Sequence, residues 1–90
     1  MDNMKSNEHK AITGAQIRAA RALVGWSAWY LAAKAGLGVA TISRAEATEG
    51  PLKMTFANRA AVRRALRGAG VDFIFDDEGG SGVSLRKKKP

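Results

Sequence analysis

Few side chains in this 90-residue sequence could take part in covalent or metal chemistry. The chain has no cysteine and a single histidine, His9, which lies in a polar stretch near the N-terminus. A thiol nucleophile and a cysteine-ligated zinc site are therefore excluded, and a Ser-His pair within a folded pocket is not expected. We predict no catalytic residues, no metal site and no cofactor, and we expect that the protein is not an enzyme.

The composition does favour the binding of anions. Fifteen Lys and Arg residues against eight Asp and Glu residues give a formal net charge of +7. The excess is concentrated in residues 10–70, which contain ten basic and two acidic residues, whereas residues 71–80 contain four acidic residues and residues 81–90 four basic ones. A basic domain of this kind is typical of proteins that bind nucleic acid, an acidic protein surface, or both.

The elements that must hold these charges are mostly helices. Apolar residues recur at helical spacing in four segments, three of which follow a Ser or Thr that can cap the helix. The predicted helices span residues 14–24, 28–35, 39–47 and 56–67. Leu23 and Phe56 are assigned to the apolar faces of the first and the fourth helix.

After residue 70 the pattern changes to alternation. Val71, Phe73 and Phe75 share one face of a strand over residues 71–76, and residues 82–86 alternate again after a turn. We predict a β-hairpin whose apolar face packs on the helices or pairs with another chain. The fold class is therefore mainly α, with four to five helices and a C-terminal hairpin. The expected organisation is a disordered leader (1–11), a helical domain (12–70), the hairpin (71–86) and a basic tail (87–90).

The sequence also bears on where the protein works. No stretch approaches the ~18 consecutive apolar residues of a membrane span, and the N-terminal residues lack the apolar run of a signal peptide. We expect a cytoplasmic protein with no membrane partner. The basic tail either follows phosphates as an arm or serves solubility alone.

Residues 26–46 are the most informative segment. Two short helices are joined by a turn that contains Gly36, and the small residues Ala32 and Ala35 allow the helices to cross closely. This pattern is typical of a helix-turn-helix, in which the second helix enters the major groove of DNA. Ser27 and the amides that follow it form a helix N-terminus suited to a DNA phosphate.

The same segment with its flanking helices resembles the XRE/Cro/CI-type family of helix-turn-helix transcriptional regulators over about residues 12–68. The matching positions are Ser27, Leu31, Ala32, Ala35, Gly36, Leu37, Thr41, Ile42, Ser43, Arg44 and Glu46. The resemblance implies a lambda-repressor-like bundle, usually dimeric on DNA, in a bacterial regulator such as a repressor. It also implies an ion pair between Arg21 and Glu46 that joins two helices and touches no ligand.

By the same resemblance, the family's base-reading positions correspond to Val39, Ala40 and Arg44, with Thr41 and Ser43 near the backbone or the groove wall. Arg44 could bind guanine O6 and N7 for about 1–3 kcal/mol of discrimination, or instead contact a phosphate or remain solvated. The other expected DNA contacts are Ser27, Ala28 and Lys53, of which Lys53 corresponds to a loop position along the phosphates. A homodimer would bind an inverted-repeat operator in double-stranded DNA.

Three neighbouring positions depart from the family's pattern. Ala28 stands where a polar residue, commonly Gln, holds the DNA backbone, and Trp29 and Tyr30 stand where polar residues face solvent. Because neighbouring residues are about 100° apart on a helix, at least one aromatic should be exposed. Three interpretations stay open: packing against the fourth helix or the hairpin, contact with the DNA backbone, and a hot spot for another protein. If the aromatics form a hot spot for another protein, we expect an antiactivator that binds a transcriptional activator instead of DNA.

Overall fold

The computed structural model describes residues 11–49, 52 and 54–87. Within these residues, four helices are followed by an antiparallel two-stranded hairpin. The elements are α1 (Gly14–Val24), α2 (Ala28–Ala35), α3 (Val39–Ala47), α4 (Phe56–Gly68), β1 (Val71–Phe75) and β2 (Ser81–Leu85). Lys53, residues 1–10 of the predicted leader and residues 88–90 of the predicted tail lie outside the described residues.

The helix boundaries follow from local capping. The Thr13 hydroxyl accepts a hydrogen bond from the Gln16 backbone N–H, and the Gln16 side chain accepts one from the Thr13 N–H. Ser27 is the N-cap residue of α2, and its hydroxyl accepts a hydrogen bond from the Tyr30 backbone N–H. Helices α1 and α2 end at Gly25 and Gly36, whose φ angles of 72° and 74° lie in the left-handed region that glycine adopts readily. The predicted bounds of the first three helices are confirmed, and α4 extends one residue further than predicted.

One apolar core is shared by the helices and the hairpin. Its buried members are Ile12, Ile17, Ala20, Leu31, Ala32, Ile42, Ala45, Leu52, Val62, Leu66, Val71 and Phe73. Helix α2 contacts both α3 and α4, while the hairpin packs on α1 and α4. The predicted apolar face of the hairpin, formed by Val71, Phe73 and Phe75, is therefore confirmed. Within this chain it packs against the helices. Each strand ends one residue earlier than predicted, and β2 begins one residue earlier.

The hairpin is also joined to α1 by the buried side chain of Gln16. Its carboxamide nitrogen donates to the carbonyl oxygens of Ile74, at 3.2 Å, and Gly82, at 2.9 Å. These two residues face each other across the hairpin, so one side chain binds both strands. Because an isolated two-stranded hairpin is at best marginally stable in water, this contact and the burial of Val71 and Phe73 hold it in the fold.

Two of the predicted core positions are wrong. Leu23 is 41% exposed because the last turn of α1 packs on the core through Val24 instead. Phe56 is 72% exposed because it lies about 120° around α4 from Val62, one of the residues that define the buried face. Both assignments relied on apolar character at a helix end, where the neighbouring elements decide which face is covered.

Candidate nucleic-acid interface

A tight turn fixes α2 against α3. The Gly36 N–H donates to the Ala33 carbonyl at 3.2 Å and the Leu37 N–H donates to the Ala32 carbonyl at 2.9 Å, which completes the last turn of α2. Leu31 of α2 and Ile42 of α3 are both fully buried in the core. The two helices are therefore held in one relative orientation by the turn and by packing.

Helix α3 presents a polar face to solvent. Ala40, Ser43 and Arg44 are exposed, and their spacing puts them on the same side of the helix. Thr41 is half-buried, and Val39 is half-buried because it packs against the core. Five of the eight positions expected to meet DNA thus lie along α3, four of them outside the set that packs on the core.

Arg44 and Thr41 also border a recess between α3 and the start of α4. The other residues that line it are Ala45, Thr48, Leu52, Met54, Thr55 and Asn58. No acidic side chain is among these lining residues. The exposed α3 face therefore continues into a surface on which Arg44 is the only charged group among the residues named.

The start of α2 provides backbone donors. The exposed Ser27 hydroxyl accepts from the Tyr30 N–H at 3.0 Å, which satisfies one of the amides in the first turn. Ala28 is half-buried against the core and offers no polar side chain. At Ser27 and Ala28, a hydrogen bond to a phosphate must therefore come from the backbone or from the Ser27 hydroxyl.

A largely buried ion pair attaches α3 to α1. Arg21 Nε and Nη2 donate to Glu46 Oε2 and Oε1 at 2.6 and 2.8 Å, and Nη1 donates to the Trp26 carbonyl at 2.8 Å. Arg18 donates to the backbone carbonyl of Glu46. The bond to Glu46 raises the pKa of Arg21 against the opposing effect of burial. The expected pair between Arg21 and Glu46 is thus present, and it sets the position of the end of α3.

An aromatic patch, formed by Trp26, Trp29 and Tyr30, lies at the start of α2. Trp29 is 73% exposed and Tyr30 is 48% exposed. The Tyr30 ring meets Trp26 edge to face with 4.9 Å between ring centres, and Lys34 Nζ lies 5.6 Å from the Tyr30 ring centre. Helix α2 turns Leu31 toward the core and leaves both aromatics exposed, which does not favour the interpretation in which one of them packs against α4 or the hairpin.

Sequence reasoning missed two features. The first is the contact of Gln16 with the hairpin. The sequence does show that Thr13 and Gln16 match a capping box, but this pattern indicates the helix start and not the contact with the hairpin. The second is a groove along α4 lined by arginines. The spacing of Arg59, Arg63 and Arg67 at every fourth residue was its visible signal, since such residues share one helix face.

Comparison of the chain with protein-family models and with curated proteins finds no match. Over the residues that the structure describes, no group of three or more His, Asp or Glu residues is arranged to hold a metal ion. No helix in that part of the chain is long and apolar enough to cross a membrane. The surfaces of the domain itself therefore carry the functional inference.

Proposed function

We propose that the protein is a small transcriptional regulator that binds double-stranded DNA through α3. In this proposal α2, the turn and α3 form a helix-turn-helix of the type found in the XRE/Cro/CI family. The observation that carries it is the exposed row of Ala40, Ser43 and Arg44 on a helix whose opposite side is anchored by Ile42 and Glu46. A helix that enters the major groove needs this combination of an accessible face and rigid support.

Each surface group has a role in the proposed complex. Arg44 can bind one guanine through two hydrogen bonds, while Ala40 can contact a thymine methyl group. Ser43 and the backbone amides behind Ser27 would bind phosphates and set the register. The basic residues of the helical domain supply a salt-dependent attraction that is independent of base sequence. A homodimer would bring two α3 helices about 34 Å apart, to an inverted repeat in cytoplasmic DNA.

Arg44→Ala tests this proposal. We expect it to weaken binding to a selected operator by about 10- to 100-fold, because it removes the only α3 side chain able to bind guanine through two bonds. Arg44→Lys should keep the affinity for random duplexes and lose most of the preference for the operator over them. The measurement is fluorescence anisotropy, after operators have been selected from a random duplex library with the wild-type protein.

Lys34→Ala is the matched control, because it removes the same charge from an exposed position on α2 that is not among the expected DNA contacts. We expect it to weaken operator binding only by the sequence-independent effect of removing one positive charge. Base reading through α3 would be contradicted if the wild-type protein enriches no sequence from the library and dissociates from every duplex by about 200 mM salt.

A second function is favoured by the exposure of Trp29. In this alternative the aromatic patch binds a transcriptional activator, and the protein is an antiactivator. Large exposed aromatic side chains are frequent hot spots of protein interfaces, and Ala28 lacks the polar group that would bind a DNA backbone. Lys34 beside Tyr30 adds a positive charge at the edge of the patch.

Trp29→Ala separates the two functions. If the patch binds an activator, the change should weaken capture of that protein by about 30-fold or more and leave duplex binding intact. The measurement is affinity capture with mass spectrometry, followed by titration of the captured protein. Phe56→Ala is the control, because Phe56 on α4 is equally exposed. If Trp29→Ala and Tyr30→Ala preserve all partner binding and regulation, the antiactivator function fails.

A further inference from the structure

An arginine groove runs along α4 to the end of β2. Its lining residues are Phe56, Arg59, Ala60, Arg63, Arg64, Arg67, Gly68 and Arg86. Five of these eight residues are arginines and none is acidic. Arg59, Arg63 and Arg67 follow one another at about 6 Å along the helix axis, so the positive charge extends over most of α4.

Two guanidinium groups of the arginine groove, those of Arg63 and Arg86, are held by their neighbours. Arg63 lies over the rings of Phe73 and Phe75, at 5.5 and 5.7 Å from the ring centres. Arg86 donates to the Arg67 carbonyl at 2.7 Å and pairs with Asp72. Side chains that are already positioned lose little conformational entropy when they bind a carboxylate.

The arginine groove is separate from the α3 surface. Asn58 borders the recess beside Arg44, and it lies about 180° around α4 from Arg67, which lines the groove. A duplex bound along α3 therefore meets a different side of the domain. The groove is therefore available to an acidic occupant of its own.

The chain itself carries an acidic segment next to this groove. Residues 76–78 of the hairpin turn are Asp76, Asp77 and Glu78, and all three are exposed. The Asp76 carboxylate accepts hydrogen bonds from the backbone N–H groups of Glu78, at 3.0 Å, and Gly80, at 2.6 Å, which stabilises the turn. The turn directly follows Phe75, whose ring contacts Arg63. A positive and a negative surface therefore adjoin on the same side of the protein.

We propose that two copies of the chain associate through this surface, with the acidic turn of each bound in the arginine groove of the other. Adjacent patches of opposite charge are self-complementary about a two-fold axis, so one contact occurs twice in a closed dimer. Asp77 and Glu78 form charge-assisted hydrogen bonds with Arg64 and Arg67 of the second copy. This association does not depend on what α3 or the aromatic patch binds.

A charge exchange tests the proposal. One variant, Arg64→Glu/Arg67→Glu, reverses the charge at the two groove positions proposed to bind the turn, and the other, Asp77→Lys/Glu78→Lys, reverses the charge of the turn. Each variant alone should dimerise at least about tenfold more weakly than the wild type, because residues 64 and 67 of one copy and residues 77 and 78 of the other then carry like charges. An equimolar mixture should recover the dimer, since the groove of each variant then opposes the turn of the other. The measurement is sedimentation velocity over a range of protein and salt concentrations, with circular dichroism to verify folding.

Lys34→Glu/Arg44→Glu is the control for the groove variant, because it makes the same change of net charge on α2 and α3, and it should leave dimerisation nearly unchanged. The proposal is overturned if the wild type remains a monomer up to millimolar concentration, or if the mixture does not recover the dimer. It is also overturned if the groove variant keeps the dimer and instead loses nucleic acid or an acidic protein, which would then be the occupant of the groove.

Discussion

Replacing Gly14 with alanine should destabilise the protein by about 3 kcal/mol, although this change within a helix is usually favourable. Gly14 is buried at the start of α1. A Cβ atom there would lie 3.0 Å from the Thr48 carbonyl oxygen and closer still to that of Ala45. Both are backbone atoms at the end of α3, and the Ala45 carbonyl also accepts the Thr48 N–H, so neither can move without disturbing the helix end. Urea unfolding measures the loss.

Gly68→Ala is the matched control. Gly68 is the last residue of α4, and a Cβ atom there would meet nothing within 4 Å. We therefore expect a gain of about 0.5 kcal/mol from the reduced entropy of the unfolded chain. The two Gly→Ala substitutions should thus change the free energy of unfolding in opposite directions. A neutral or stabilising Gly14→Ala would contradict the close approach of α1 to α3.

Arg21→Ala should cost about 3 kcal/mol of unfolding free energy, since it breaks a largely buried ion pair from one side. The change leaves the Glu46 carboxylate without two hydrogen bonds and the Trp26 carbonyl without one. The pKa of Arg21 is raised in the folded protein, so its charged form contributes fully at neutral pH, and this contribution is lost as the pH rises into strong alkali. Thermal and urea unfolding near neutral pH are the measurements.

The double variant Arg21→Ala/Glu46→Ala should be less destabilised than the sum of the two single variants, because no carboxylate is then left buried. Arg64→Ala is the reference for an exposed arginine and should stay within about 0.5 kcal/mol of the wild type. An Arg21→Ala variant that unfolds at the same urea concentration as Arg64→Ala would show that the pair has no structural role.

The helices could be predicted because their boundaries are set by nearby residues. Thr13 and Ser27 accept backbone N–H groups within the same turn, and Gly25 and Gly36 end the helices through their own φ angles. The hairpin was predictable for a related reason, since the alternation of β1 can be read from five consecutive residues. These signals are local, and no distant part of the chain has to agree with them.

The faces and surfaces were less predictable, because they depend on residues far apart in the chain. Periodicity assigned Phe56 to the core, but the packing of α4 against its neighbours left it exposed. The arginine groove combines α4 with Arg86, nineteen residues beyond Arg67, and only the folded hairpin brings the two together. On α3, by contrast, the common face of Ala40, Ser43 and Arg44 followed directly from helical spacing. The exposure of Trp29 was one of several open outcomes.

The hydrogen bonds of Gln16 also bear on how the protein folds. They join residues 58 and 66 positions apart, between the first helix and the last two strands. The long-range contacts that complete the core are therefore formed only after a loop of that length has closed, and loop closure carries an entropic cost. Contacts of large sequence separation slow folding, so the three inner helices α2, α3 and α4 can condense locally before the hairpin docks on α1. Closure of the two ends of this domain onto each other would then set its folding rate.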